Sequence, residues 1–215
     1  MSQDYVILLH GLARNARSMN VMVSELKRAG FGTVNYDYPS TKHSIELLAN
    51  DVITDAISLC PSGAKIHFVT HSMGGILVRQ YLSQKTIQNM GRVVMLGPPN
   101  KGSQVVDRLG SVPGYAWFNG PAGRQLGTGS ESIPNSLRGV DFELGIIAGT
   151  RSINLLLSTM LPKPNDGKVS VENTKLTGMA DHIVLPVTHP FIMKNKGVIL
   201  QVIHFLKCGS FNRER

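Results

Sequence analysis

A short turn between an apolar strand and an apolar helix constrains the fold of this chain more than any other feature. Residues 65–69 (K-I-H-F-V) are typical of a β-strand, residues 75–82 of a buried helix, and the pentapeptide 70–74 (T-H-S-M-G) joins them. A serine on such a turn takes up strained backbone geometry, and its hydroxyl stands clear of the strand. Gly74 lets the helix pass close to the strand. The pattern therefore predicts an exposed, reactive hydroxyl at Ser72.

The rest of the chain alternates short β-rich runs with longer helical ones, which favours parallel βαβ units. The runs are nearly continuously apolar, as expected for strands that are covered on both faces. We therefore predict an α/β fold with a mostly parallel sheet of about six strands. The predicted strands are Tyr5–Leu9, Thr33–Asp37, Lys65–Thr70, Arg92–Leu96, Leu144–Ala148 and His182–Leu185.

Helical spacing of apolar residues identifies three segments that pack on this sheet. The clearest begins after Ser44, a candidate N-cap, and continues to Leu59. Methionine and aliphatic residues between positions 19 and 26 form a second stripe, which Gly30 ends, and residues 198–206 form a third. We interpret these stripes as core. With no repeat and no linker, residues 1–215 are expected to form one domain.

Composition excludes several classes of protein. The longest apolar runs fall short of the roughly 18 to 20 residues of a membrane span, and the first residues lack the pattern of a secretory signal, so we expect a cytoplasmic protein. The 22 Lys and Arg residues outnumber the 14 Asp and Glu residues, giving a net charge of +8. They are dispersed, which argues against a nucleic-acid partner and leaves transient contact with a membrane surface open. Cys60 and Cys208 are expected to be free thiols.

A nucleophilic serine needs a base and a group that orients the base, and these partners follow Ser72 in the chain. Asp166 lies in an Asn-Asp-Gly turn and His189 in a Thr-His-Pro turn, each after an apolar run. Open α/β sheets keep their sites at the carboxyl ends of the strands, where both turns should lie. Asp181 immediately precedes the last strand and should lie at the opposite edge.

Other histidines compete with His189 as the base. His182 falls inside the last strand, His71 adjoins the serine and cannot readily turn back onto it, and His10 is expected to order the loop after the first strand. No histidine is paired with carboxylates at metal-ligand spacing, so no metal site is predicted.

Two backbone amides are candidates for binding a developing oxyanion. The strand Tyr5–Leu9 runs into His10-Gly11-Leu12, where the tight turn would direct the amide of Leu12 at the substrate oxygen. The second donor would be the amide of Met73, the residue after the serine.

Together these motifs resemble a small α/β-hydrolase of the bacterial lipase and esterase type. The matching pieces are H-G-L after the first strand, H-S-M-G-G at the turn, G-P-P-N-K-G-S at residues 97–103, N-D-G at 165–167 and T-H-P at 188–190. The chain departs from the family pattern at Thr70, where a small residue is usual, and at Pro98, where threonine is common. The resemblance implies the minimal version of the fold, without a large cap domain.

The resemblance further implies that Ser72 is the nucleophile, His189 the general base and Asp166 its orienter, with Leu12 and Met73 supplying the oxyanion hole. The expected reaction is hydrolysis of a small-molecule or lipid ester without a cofactor. Thioester hydrolysis, acyl transfer and a non-catalytic binding function remain open as alternatives. The irregular stretch 97–139, with Val112, Tyr115, Trp117 and Phe118, and the apolar element 153–161 could each border an acyl pocket or simply pack on the core.

Overall fold

The computed structural model describes residues 3–110, 114–153, 158–159 and 161–213, and for residues 115–118 it describes the backbone alone. Within these ranges six strands form a single sheet, in the order β2-β1-β3-β4-β5-β6, and all neighbours run parallel. The carboxyl ends of all six strands therefore lie along one edge. The strands are β1 (Tyr5–Leu9), β2 (Gly32–Tyr36), β3 (Ile66–His71), β4 (Met90–Leu96), β5 (Leu144–Arg151) and β6 (Asp181–Thr188).

Helices cover both faces of the sheet, which confirms the predicted α/β class and the minimal α/β architecture. A large cap domain is not found among the described residues. The helices are α1 (Asn20–Arg28), α2 (Ile45–Ser58), α3 (Met73–Leu82), α4 (Gln104–Leu109), α5 (Tyr115–Arg124), α6 (Ile133–Ser136), α7 (Val171–Thr174) and α8 (Lys196–Cys208), with 3-10 turns at Ala16–Met19 and His189–Lys194. None of the helices described here is both long enough and apolar enough to cross a membrane.

The core consists of two apolar clusters, one on each face of the sheet. One cluster joins α2 and α3 to the sheet, and its members include Ile53 and Ile76. The other joins α1 and α8 to the opposite face, through residues such as Met22 and Val202. Each of these four side chains is fully buried. Helices lie on both faces because the strands of a parallel sheet are apolar on both sides, and each side must be covered.

One predicted segment differs from the expectation. The irregular stretch 97–139 contains α4, α5 and α6, and α5 is interrupted at Gly120 (φ 64°, ψ −168°). A Cβ atom on Gly120 would lie 1.6 Å from the carbonyl oxygen of Thr41, so this close approach requires glycine. Val112, the side chains of Tyr115, Trp117 and Phe118, and residues 154–157 and 160 lie outside what is described.

A buried arginine ties the long connection after β4 to helix α3. The Arg79 side chain is 2 % exposed. Its guanidinium donates hydrogen bonds to the backbone oxygens of Asn100, Pro134, Leu137 and Arg138, and to Oδ1 of Asn100, at 3.0–3.3 Å. Burial lowers the pKa of Arg79 to about 10, so the group remains charged at neutral pH. The carbonyl groups supply the hydrogen bonds that water would make to an exposed guanidinium.

We expect Arg79→Leu to lower the free energy of unfolding by at least about 3 kcal/mol, because several buried carbonyl groups would lose their donor together. Urea unfolding followed by circular dichroism measures this change. The matched control is Arg28→Leu: Arg28 lies on the surface of α1 and pairs with Glu25, so its loss should cost less than about 1 kcal/mol. Equal effects of the two substitutions would contradict the structural role of Arg79.

Candidate active site

Ser72 occupies the sharp turn between β3 and α3. Its backbone has φ 52° and ψ −120°, in the positive-φ region that L-residues rarely adopt. The turn is held by a hydrogen bond from the Ser72 amide to the carbonyl oxygen of Leu96, at 2.9 Å. The next residue, Met73, begins α3, so its amide lies in the first helical turn, where no intrahelical acceptor exists. This strained conformation is the one that the strand-serine-helix pattern predicts.

Glycines after the serine allow the helix to start against the sheet. A Cβ atom on Gly74 would lie 2.9 Å from the carbonyl oxygen of Leu9 in β1. A Cβ atom on Gly75 would lie 2.9 Å from Sδ of Met95 and 3.2 Å from Oγ1 of Thr70. Thr70, the departure from the family pattern, is therefore accommodated because the residue opposite it has no side chain.

The structure brings His189 and Asp166 into direct contact. His189 follows β6 and Asp166 follows β5, and Nδ1 of the imidazole lies 2.7 Å from Oδ2 of the carboxylate. The backbone amide of His189 also donates to the carbonyl oxygen of Asp166, at 3.1 Å. Because an ionised carboxylate only accepts hydrogen bonds, Nδ1 is the donor in this contact.

Asp166 is 1 % exposed, and its second oxygen is also occupied. Oδ1 accepts hydrogen bonds from the backbone amides of Lys168 and Val169, at 3.0 and 2.8 Å. Asn165 holds the same loop, since its Oδ1 accepts from the amide of Gly167 at 3.0 Å. The carboxylate is thus held in one orientation by the backbone of its own turn.

Gly97, directly after β4, lies beside the contact between Asp166 and His189. Its φ is 55°. A Cβ atom there would lie 3.0 Å from Oδ2 of Asp166 and 3.1 Å from Nδ1 of His189. Glycine is therefore the residue that leaves room for the carboxylate and the imidazole to meet.

Ser72, Asp166, His189 and Leu12 all line one cavity of about 550 Å³ at the carboxyl edge of the sheet. Leu12 follows β1 and Ser72 follows β3, and these two strands are neighbours in the sheet. The turns that carry Asp166 and His189 reach the same cavity from β5 and β6. Met73 does not line the cavity with its side chain, which is buried in the core. Four of the five residues singled out from the sequence therefore share the cavity, and the fifth can contribute only its backbone.

His10 and His71, the competing histidines beside the site, are both buried and have other contacts. His10 stacks on Tyr38 with ring centroids 4.0 Å apart, and its carbonyl oxygen accepts a hydrogen bond from the Tyr38 hydroxyl at 2.5 Å. These contacts order the loop after β1, as the sequence predicts for His10.

His71 contacts both the backbone and the ring of His189. Its Nε2 lies 3.1 Å from the carbonyl oxygen of His189, and the two rings lie 4.8 Å apart. Its Nδ1 has no partner among the described residues. Burial, followed by the charge of His189, lowers the pKa of His71 well below its usual value, so the ring stays neutral. The contact with the His189 backbone has no signal in the sequence beyond the position next to Ser72.

Asp181 and His182 lie at the opposite end of β6, as expected. Asp181 accepts hydrogen bonds from the guanidinium of Arg213 and the amide of Phe211. The guanidinium holds the pKa of the Asp181 carboxyl at about 2. Nε2 of His182 lies 3.0 Å from Oγ1 of Thr174. In the part of the chain that the structure describes, no group of three or more His, Cys, Asp or Glu side chains is placed to hold a metal ion.

Solved structures share this architecture at low sequence identity. The mature lipase BlEst2 of Bacillus licheniformis is 20% identical with a TM-score of 0.72, over 96% of this chain and 92% of that one. A monoacylglycerol lipase of Paleococcus ferrophilus is 16% identical with a TM-score of 0.63, over 98% of this chain and 97% of that one. Phospholipase PlaB of Legionella pneumophila is 15% identical with a TM-score of 0.73, over 98% of this chain and 60% of that one.

No curated protein matches the sequence at a significant level. The structural likenesses show the fold, and the sequence itself supplies the assignment to a family. The model of the alpha/beta hydrolase family matches residues 6–162, which is more than half of the chain and includes the turn at Ser72. The chain therefore belongs to the alpha/beta hydrolase family.

Proposed function

We propose that this chain is a serine hydrolase that cleaves carboxylic esters through an acyl-enzyme. The observation that carries the proposal is one cavity lined by a serine in a strained backbone conformation and by a histidine whose Nδ1 lies 2.7 Å from a buried carboxylate. A strained, partly exposed serine has no evident role in stabilising a fold, and strain of this kind tends to occur at functional sites. The lipases and the phospholipase of similar fold act on ester substrates, which supports the same choice for this chain.

In the first half of the reaction, Oγ of Ser72 attacks the ester carbonyl carbon while Nε2 of His189 takes the hydroxyl proton. Asp166 stabilises the imidazolium that forms and keeps the ring in the productive tautomer. The amides of Leu12 and Met73 donate hydrogen bonds to the oxyanion. The C–O bond to the alcohol then breaks, and the imidazolium returns its proton to the leaving oxygen.

In the second half, water replaces the alcohol. His189 removes a proton from the water as its oxygen attacks the acyl carbon, and the tetrahedral intermediate again accepts hydrogen bonds from the two amides. The bond to Ser72 breaks, its oxygen regains a proton, and the carboxylic acid leaves. The same groups serve both steps, so no cofactor enters the scheme.

We expect a fluorophosphonate probe to form one covalent adduct with the purified protein and none with Ser72→Ala, because only an activated hydroxyl attacks phosphorus. Intact mass spectrometry measures the adduct. The matched control is Ser103→Ala, since Ser103 lines the same cavity but its hydroxyl donates to the carbonyl oxygen of Lys168 at 2.8 Å. Ser103→Ala should still be labelled.

A folded wild-type protein that forms no adduct would contradict the proposal and favour a binding function for the fold. If labelling succeeds, release of acid from oxygen esters and from matched thioesters separates ester hydrolysis from thioester hydrolysis. Faster turnover of the thioester would overturn the ester assignment while leaving Ser72 as the nucleophile.

We expect Asp166→Asn to lower kcat by about 10⁴-fold, the loss that follows when the carboxylate of such a triad becomes an amide and the imidazole adopts the wrong tautomer. Ester hydrolysis at saturating substrate measures this loss. Asp181→Asn is the control, because Asp181 pairs with Arg213 at the other edge of the sheet, and its kcat should stay close to that of the wild type. A kcat for Asp166→Asn that equals the control's would exclude Asp166 as the orienting group.

A further inference from the structure

Two cationic side chains line the cavity beside the proposed catalytic groups. Arg14 comes two residues after Leu12, in the loop that follows β1, and Lys168 comes two residues after Asp166. They approach the cavity from loops that follow different strands, β1 and β5. The proposed chemistry uses neither of them, so their presence in the cavity needs a separate explanation.

Backbone contacts fix the loops that carry both cations. On either side of Arg14, the amide of Ala13 donates to Oγ of Ser40 at 3.0 Å and the amide of Ala16 donates to Oδ1 of Asp37 at 2.7 Å. The backbone of Lys168 is held on both sides, since its amide donates to Asp166 and its carbonyl oxygen accepts from Ser103. The two charges are therefore presented to the cavity by ordered backbone.

Neither cation forms an ion pair with a carboxylate that the structure describes. Both oxygens of Asp166 are occupied by His189 and by backbone amides. Oδ1 of Asp37 accepts a hydrogen bond from the amide of Ala16 and lies 3.4 Å from Nε2 of His10. The cavity lining thus carries two cationic side chains and one carboxylate, Asp166, whose two oxygens already accept hydrogen bonds from other groups.

The two cations also act on each other. Desolvation by the surrounding protein, followed by the positive charge of Arg14, lowers the pKa of Lys168. Desolvation likewise lowers the pKa of Arg14. Like charges held close together raise the free energy of the empty site, and an anion placed between them would relieve this repulsion. Arg14 is half-buried and Lys168 is exposed, so a ligand can reach both.

We propose that Arg14 and Lys168 form a subsite for an anionic oxygen group, so that the preferred substrate is an ester that carries a phosphate or carboxylate near the scissile bond. The proposal rests on the proposed ester hydrolysis and names its substrate class. A guanidinium can bind either anion through two parallel hydrogen bonds, and an ammonium adds a point charge. Apolar residues on the same cavity, Val105, Val106 and Leu126, provide the surface for the uncharged part of the substrate.

The test compares kcat/KM for matched esters that differ in one anionic group. The acyl arm uses 4-nitrophenyl glutarate, with a free carboxylate, against its methyl ester. The alcohol arm uses 1-butanoylglycerol 3-phosphate against 1-butanoylglycerol. We expect the anionic member to be preferred in at least one arm by about tenfold or more, because only that member can form charge-assisted hydrogen bonds with the two cations. The arm that shows the preference identifies the side of the ester that carries the anion.

Arg14→Gln and Lys168→Gln should each lower the ratio of anionic to neutral kcat/KM, and the double variant should bring it close to one. Arg14→Lys, which keeps the charge, should retain more of the ratio than Arg14→Gln. The control Lys85→Gln removes one charge from a side chain that contacts Asn50 and Tyr81 away from this cavity, and it should leave the ratio unchanged. Raising the ionic strength to about 1 M, where the Debye length is about 3 Å, should narrow the preference.

The anion subsite would be overturned if the wild-type ratio of anionic to neutral kcat/KM were one or less in both arms. It would also be overturned if the double variant kept the wild-type ratio. If neutral esters are then still hydrolysed and Ser72 is labelled, the ester hydrolase itself stands. If no ester is cleaved, calorimetric binding of the two butanoyl glycerol compounds to Ser72→Ala decides the subsite alone. Tighter binding of the phosphate compound supports the subsite, and equal binding rejects it.

Discussion

Helix α3 can begin directly against the sheet because Gly74 and Gly75 have no side chains where they meet β1 and β4. This close approach compresses the connection from β3 to a single residue, Ser72, which takes the positive φ that the sharp reversal requires. The serine cannot relax into a commoner conformation without moving the helix away from the sheet. Packing of α3 therefore maintains the strain, and the strain keeps the hydroxyl at the carboxyl edge, beside the cavity.

Parallel pairing then brings the remaining groups to the same edge. The loops after β1, β5 and β6 supply Leu12, Asp166 and His189, and each loop reaches the cavity because parallel strands end together. Within the cavity the buried carboxylate is surrounded by donors, two backbone amides and one imidazole, which offset the loss of water. Asp166 forms its ion pair with His189 and none with Lys168 or Arg14. The contacts that hold the carboxylate therefore also orient the histidine.

Most of the framework could be predicted from the sequence because it depends on local patterns. All six strands were expected within a few residues of their observed bounds, although β6 continues beyond Leu185 to Thr188 and so positions His189 directly after it. The methionine stripe of α1 and the aliphatic stripe of α8 are core as predicted. By contrast, Arg79 stands in an apolar helix with no local sign that five distant carbonyl groups would surround it. Its partners come together only when the connection after β4 folds over α3.

The sequence by itself determined the fold class, the strained serine turn and the order of the candidate catalytic residues, because apolar periodicity and turn residues act over short stretches of chain. Tertiary structure alone decided which nitrogen of His189 faces Asp166, that His71 contacts the His189 backbone, and that Gly97 leaves room for the contact between His189 and Asp166. It also decided that Arg14 and Lys168 line one cavity and form no ion pair with a carboxylate in the described part of the chain. These are relations between residues far apart in the chain, and their distances exist only once the parallel sheet has aligned its loops at one edge.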